Sequence, residues 1–413
     1  MSATVFARIK STVMYLLVAA VCGVLVGAIC AVFGRVLLAI GDVRTQHYLL
    51  LVPFLPLGGL LIMAMYRRLS PESLQGMKLV FDAALGKRDN IPLPLIPLIM
   101  LGTWITHLFG GSAGREGVAV QIGATLSHAL ATRLKLKNAR VLLVAGMAAG
   151  FAGLFQTPLA AVFFALEVIV SGALAYEALP CALVSAFVAS TTSHALGLEK
   201  FSVAIDKSLE LNMHTALPLI LAGLAFGLTG LLFSKGLAWG KTRANDLFPS
   251  PYKRIFFGSI PLAAILLLAF GGRYCGLGTN LISCSFSGGT IYPFDWLAKL
   301  ALTICTLSLG FQGGEVTPLF AMGASLGFVL GSAFGLPPEI FAAMGYAAVF
   351  GSATNTLLAP IFIGLEVFGG ANIAPLALVC IVAWLPNANS SIYGGQTMAK
   401  PWFLREQDER QNG

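Results

Sequence analysis

The sequence predicts an all-α polytopic membrane protein with broken and re-entrant helices, and three observations carry that prediction. The 413-residue chain is 57% hydrophobic and only 11% charged, with a mean hydropathy of +0.84, whereas soluble domains carry roughly a quarter charged residues. Several stretches hold no charge at all: Val141 to Leu166, Ile255 to Gly272, Val316 to Pro338 and Val367 to Ala399. Each is long enough to cross a hydrocarbon core of about 30 Å, which takes roughly 17–25 helical residues. Many of the 46 glycines and 20 prolines interrupt apolar runs, as at Pro158, Pro318, Pro337-Pro338, Pro360 and Gly313-Gly314.

The first apolar run, Ser11 to Gly34, follows Arg8 and Lys10. It is longer than the apolar region of a signal peptide, so it reads as a retained first span. The flanking cations place the N-terminus in the cytoplasm by the positive-inside rule. Arg133, Lys135, Lys137 and Arg140 mark a second cytoplasmic loop. The net charge of +8 is assigned to such loops; no cluster of basic and aromatic residues suggests a nucleic-acid surface. Seven scattered cysteines and five isolated histidines show no CxxC pair or metal-like spacing. No metal or other cofactor is expected. No nucleophile–base cluster points to an enzyme.

The chain contains a duplication. "FAGLFQTPLAAVFFALEV" begins at Phe151 and "FGSATNTLLAPIFIGLEV" at Phe350, an offset of 350 − 151 = 199 that pairs Phe163 with Phe362 and Glu167 with Glu366. "GATL" from Gly123 matches "GASL" from Gly323. The expected organisation is a first membrane repeat over 1–234, a polar connecting loop over 235–254 ("KGLAWGKTRANDLFPSPYKR"), a second repeat over 255–404 and a short polar tail over 405–413. Repeats of this kind in transporters are often inverted, with the substrate site at mid-membrane between them. Broken helices expose backbone polar groups at membrane depth, where only protein or a water-filled cavity can satisfy them. Helix N-termini carry roughly half a positive charge and free N–H donors, which suits an anion. The expected class is a transporter or channel for a small charged substrate.

"GGSAGREGVAVQIG", Gly110 to Gly123, places Glu116 inside an apolar region. A carboxylate at membrane depth costs at least ~2–3 kcal/mol. Burial raises its proton affinity and adjacent N–H donors and Arg115 lower it, a balance that suits proton exchange. The other reading of the same residues is a structural Arg115–Glu116 pair near an interface. Glu167 and Glu366, at matched positions of the two halves, point to a shared structural role such as pairing with a basic loop; a water or proton pathway is the alternative.

These motifs resemble the CLC family of anion channels and proton-coupled anion antiporters. "GSAGREGVAVQIG" is similar to its G-[KR]-E-G element, "FAGLFQTPLAAVFFALEV" to its F-N-A-P-L-A-like helix, "GFQGGEVTPLFAMGASLG" to its G-G-x-F-x-P element, and "SSIYGG" falls where a tyrosine, here Tyr393, lines the central anion site. The similarity runs from about Ser11 to Thr397. It implies two inverted repeats, a homodimer in the cell (inner) membrane with one anion pathway per subunit, and Glu116 as the gating glutamate. The anion-binding set it implies is Met77, Phe81, Gly117, Val118, Val316, Thr317 and Tyr393; for Phe81 a packing role is the alternative.

The departures from the family pattern are informative. Where G-S-G-I-P is usual, the chain reads Gly76-Met77-Lys78-Leu79-Val80, so a serine hydroxyl is replaced by a thioether without an O–H donor. G-G-x-F-x-P becomes "GGEVTP", with Glu315, Val316 and Thr317, and the usual inner proton-relay glutamate falls at Val168. These substitutions resemble the fluoride-transporting branch, which carries "GREGxxVQ" around the gate, matched through Val120 and Gln121. Fluoride has a weak conjugate acid and enters cells as that neutral acid, so its export calls for an energy source such as the proton gradient. The resemblance therefore implies fluoride/proton exchange, with Glu116 as the proton carrier and Glu315 as the second proton site; a fixed carboxylate capping backbone donors is the other reading of Glu315. The alternative for the whole chain is a CLC-type chloride/proton antiporter or chloride channel.

Overall fold

The computed structural model describes residues 3–399 apart from 269 and 388, with side chains from residue 9 onward; the tail expected over 405–413 lies outside the described residues. The first half begins with α1 (Ala3–Gln46), 44 residues without a proline to stop it. The chain breaks at His47 (φ −123°, ψ 29°) and returns through α2 (Tyr48–Leu51) and α3 (Leu55–Leu69). There follow α4 (Met77–Ala84), α5 (Leu95–Leu108), α6 (Glu116–Arg133), α7 (Ala139–Phe155), α8 (Pro158–Glu167) and α9 (Leu179–Ala195). The second half repeats the order with α10 (Met213–Leu247), α11 (Pro251–Leu268), α12 (Thr279–Ser287), α13 (Asp295–Ser308), α14 (Val316–Ala333), α15 (Pro338–Thr354), α16 (Leu358–Phe368) and α17 (Ile373–Trp384). Six helical stretches among the described residues are long and apolar enough to cross a membrane. The molecule is a multi-pass, all-α membrane protein.

Three expectations change. The charge-free run 141–166 is two helices, because Gln156 takes a left-handed conformation (φ 57°) and Pro158 then starts a new helix at its first position. Asn355 (φ 55°) breaks α15 from α16 at the matching place. The run 367–399 holds α17, a 3-10 turn over Leu385–Asn387 and non-helical chain rather than one span. Residues 235–247, expected in a loop, are the last turns of α10. Lys235, Lys241 and Arg243 sit on a helix that continues past the apolar layer, as long basic side chains allow. By helix order the second half starts at α10.

Equivalent residues of the halves meet each other, as a two-fold axis requires. Gly114 and Gly314 exchange backbone hydrogen bonds in an antiparallel bridge (2.5 and 2.8 Å). Phe163 stacks on Phe362 with ring centroids 4.2 Å apart. A Cβ on Gly123 would lie 2.0 Å from the Gly146 carbonyl, and one on Gly323 2.0 Å from the Gly345 carbonyl. These bare crossings let α6 close on α7 and α14 on α15, the small-residue packing that replaces the hydrophobic drive inside a bilayer. Residues 141–155 of α7 and 340–354 of α15 are all buried. The outer helices expose leucines such as Leu17, Leu217 and Leu228, as expected of helices facing lipid.

The two faces can be told apart. Tyr15, near the start of α1, accepts a hydrogen bond from the backbone of Asn138 (2.9 Å), and His128 meets the carbonyl of Asp89 (2.8 Å). Arg88 is paired with Glu72. The loops around residues 72, 89 and 138 therefore share one face, and the basic residues Arg67, Arg68, Lys87, Arg88, Arg133, Lys135 and Lys137 cluster there. The positive-inside rule makes that face cytoplasmic.

Candidate anion site and gate

The linkers that leave α5 and α13 come together at the Gly114–Gly314 bridge, so α6 and α14 begin side by side in the centre of the molecule. The first turn of α14 turns the Thr317 N–H toward Glu116 of α6. Glu116, the first residue of α6, is fully buried there. Its Oε2 accepts from the Thr317 hydroxyl (2.5 Å), the Thr317 backbone N–H (3.1 Å) and, at longer range, the Arg115 N–H (3.4 Å). The carboxylate of one half thus caps the helix of the other. Its Oε1 lies 3.5 Å from Arg115 Nε and has no hydrogen bond among the described residues. The start of α14 and the Arg115 guanidinium surround the carboxylate, and the short Thr317 hydroxyl bond fixes it in place.

Beside this seat a cavity of about 450 Å³ opens to the cytoplasmic face. Met77, Phe81, Gly117, Gln121, Glu315 and Tyr393 line it, with Lys78, Lys241 and Arg254 also on its wall. Such a basic wall concentrates anions. Met77 opens α4 just after Gly76, whose φ of 53° makes the turn. Glu315 precedes α14, and its Oε2 would be 3.5 Å from a Cβ on Gly117. The two carboxylates therefore flank the first turn of α6, Glu116 sealed behind it and Glu315 on the cavity side.

Tyr393 is held by the chain that follows α17. Residues 397–398 pair as a short parallel strand with Val170–Ser171, Ile392 N–H bonds to Ala353 O (2.9 Å), and Gln396 Nε2 donates to the carbonyls of Val168 (2.8 Å) and Thr354 (3.0 Å). The ring packs on Phe81 (5.4 Å) and edge-on to Phe164 (6.3 Å). The phenol is buried and has no partner among the described residues, leaving an O–H free to donate into the cavity.

Of the residues expected to bind the anion, Met77, Phe81, Gly117 and Tyr393 share this wall, together with the proton-site candidate Glu315, and Thr317 grips Glu116. Val118 and Val316 do not line it. Both are buried side chains packed into the core, and the Val118 N–H is already bonded to Arg115 O. Val168 is buried and offers no titratable group, only the carbonyl that anchors Gln396. Among the wall residues that received no role from the sequence are Gln121, Lys241 and Arg254. Gln121, one turn beyond Gly117, donates to its carbonyl (3.2 Å) and keeps a free Oε1. Lys241 and Arg254 fell in the stretch expected to be a connecting loop.

Glu167 and Glu366 have the structural role, though not with a basic loop. Glu167 accepts from the N–H groups of Leu357, Leu358 and Ala359 at the start of α16 (3.2, 3.1 and 2.8 Å). Glu366 accepts from Leu159 and Ala160 at the start of α8 (3.1 and 2.8 Å). Each half caps a helix of the other.

Compared with known proteins, residues 58–386 match the profile of the voltage gated chloride channel family, CLC, over well more than half of the chain. The chain belongs to the CLC family. It is 38% identical to a chloride/fluoride channel protein of Pseudomonas syringae pv. tomato, covering 83% of this chain and 77% of that one. Among solved structures it is similar to a CLC-type fluoride/proton antiporter, with a TM-score of 0.93 and 51% identity over 94% of this chain and 98% of the other. A cyanobacterial Cl−/H+ antiporter shares the CLC fold at 20% identity, with a TM-score of 0.78 over 97% and 99% of the two chains.

Proposed function

We propose that the chain exports fluoride from the cytoplasm in exchange for protons, with Glu116 as the moving carboxylate. The observation that carries this reading is the Glu116 seat: a buried carboxylate held by Thr317 and the start of α14, where an anion would otherwise sit. Charged, Glu116 takes the anion's place on those donors. Protonated, it loses the attraction of the helix end and of Arg115, leaves the seat and opens the path. The proton and the anion then alternate at one place, which couples their movements. The similarity to a fluoride/proton antiporter over nearly the whole chain supports the same ion pair.

Met77 favours fluoride over chloride by what it lacks. With no hydroxyl there, the donors left to an anion are few and hard, the Tyr393 phenol and backbone N–H groups. A small, strongly accepting ion gains most from such donors. Glu315, on the cavity wall across Gly117, is the second proton site in this reading; in its protonated form it donates a hydrogen bond to fluoride. The subunits pair as a homodimer with one path each. A chloride/proton antiporter or channel is the second reading, favoured by the name of the 38% identical relative, which includes chloride.

Glu116→Gln tests the proposal. The amide keeps the size and loses the proton, so fluoride flux in proteoliposomes is expected to proceed without proton movement or to stop. Full proton coupling in this variant would remove Glu116 from its role. Glu315→Gln is expected to slow coupled exchange at least about tenfold, as loss of a group acting in proton transfer does; wild-type exchange would return Glu315 to a capping role.

A further inference from the structure

A second cavity, of about 350 Å³, opens on the opposite face. Arg44 on its wall lies 29 residues beyond Tyr15 on the same helix, about 44 Å at ~1.5 Å per residue, the thickness of a bilayer with its headgroups. Its wall consists of residues 37–45 of α1, His107 at the end of α5 and residues 271–280 leading into α12. At an offset near 200, these segments match parts of the cytoplasmic cavity: Lys241 and Asn245 of α10, Leu307 of α13 and Gly76 before α4. The duplicated fold builds a vestibule at each end of the molecule.

The outer vestibule carries a cation, Arg44, that has no ion-pair partner among the described residues. Lys299 of α13 is fully buried behind it, its Nζ bonded only to neutral oxygens: Gly276 O (2.6 Å), Ser112 Oγ (2.9 Å) and Tyr274 O (3.1 Å). Arg44 has one hydrogen bond among the described residues, to Thr45 Oγ1 (3.2 Å), and no carboxylate within the ion-pair distance. A Cβ on Gly276 would collide with its guanidinium, so the glycine makes room for it. Asp295, the buried acid nearby, is already committed to Arg273 (2.7 Å), the Tyr274 hydroxyl (2.7 Å) and the Tyr292 N–H (2.8 Å). That leaves Asp42 on the exposed rim. A guanidinium on the wall of a partly enclosed cavity with no paired acid gains from an anion beside it.

The cavity also adjoins the chain that seats the gate. Gly276 N–H donates to Gly111 O (3.2 Å), Lys299 holds Ser112, and His107 Nε2 meets Ala113 O (3.0 Å). Three residues of the linker leading to Glu116 are thus fastened to this wall.

We propose that the outer vestibule is a second anion site, which holds the transported monovalent anion between bulk water and the gate. Arg44 contacts the ion, and Lys299, buried behind it, anchors the wall through Gly276, Tyr274 and Ser112. The inference rests on the fluoride reading above. The test is the initial rate of fluoride flux against fluoride concentration, measured separately in right-side-out and inside-out membrane vesicles. Arg44→Gln is expected to raise the half-saturating concentration at the outer face about tenfold, the loss of one charge-assisted hydrogen bond, and to leave the inner face within about twofold. Arg44→Lys retains most of the wild-type value. Asp42→Lys, at an exposed position that does not bear on folding, lowers the outer value and decides the matter by itself if Arg44→Gln does not reach the membrane. Equal changes at both faces, or no change at the outer face in Asp42→Lys, would overturn the assignment. Wild-type vesicles without saturable fluoride flux would overturn the fluoride reading and this inference with it.

Discussion

At the scale of single residues, the proposed exchange turns on what stands beside the seat of Glu116. Thr317 gives the carboxylate a hydroxyl and an N–H, so its position is defined. Met77 puts a thioether, without a hydroxyl, on the cavity wall. Returning one tests its part in selectivity: Met77→Ser is expected to raise chloride flux relative to fluoride flux by about tenfold, one added hydrogen bond to the larger ion. An unchanged ratio in paired flux measurements would free Met77 of that role. Glu116, Met77 and "GGEVTP" were legible in the sequence because a charge, or the loss of a polar group, stands out in apolar surroundings. The Thr317–Glu116 bond was not, since it joins residues 201 positions apart. Nor was the withdrawal of Val118 and Val316 into the core, which depends on how the first turns of α6 and α14 face their neighbours.

At the scale of elements, the duplicated helices do more than repeat. Glu167 caps α16 and Glu366 caps α8, so each half supplies acceptors for N–H groups that the other half's broken helix leaves free. This satisfies in the membrane interior what water would satisfy outside it. Glu167→Gln replaces a charged acceptor of three N–H groups with a neutral one. The expected cost is about 1–3 kcal/mol, read as a fall in the thermal unfolding temperature of the detergent-solubilised protein. A temperature equal to the wild type would show that the cap carries no stability. The sequence revealed the matched glutamates but not their partners, because the offset of 199 identifies equivalent residues and says nothing of which ones meet. The polar stretch 235–254 misled for a related reason: charge density marks where a helix leaves the apolar layer, not where it ends.

At the scale of the whole molecule, two inverted halves place two helix N-termini face to face and a vestibule at each end. One vestibule is lined by Lys78, Lys241, Arg254 and Glu315, the other by Arg44 with Lys299 behind it. The membrane class, the duplication and the gate motif could all be read from composition, period and order. The two vestibules could not, because their walls gather residues from segments up to about 320 positions apart. We propose that this arrangement exchanges fluoride for protons. The direct measurement is fluoride and chloride flux in proteoliposomes, each recorded together with internal pH. The expected result is saturable fluoride flux that moves protons in the opposite direction, with chloride carried at least about tenfold more slowly. Equal flux of the two anions, or fluoride flux that leaves internal pH unchanged, would contradict it.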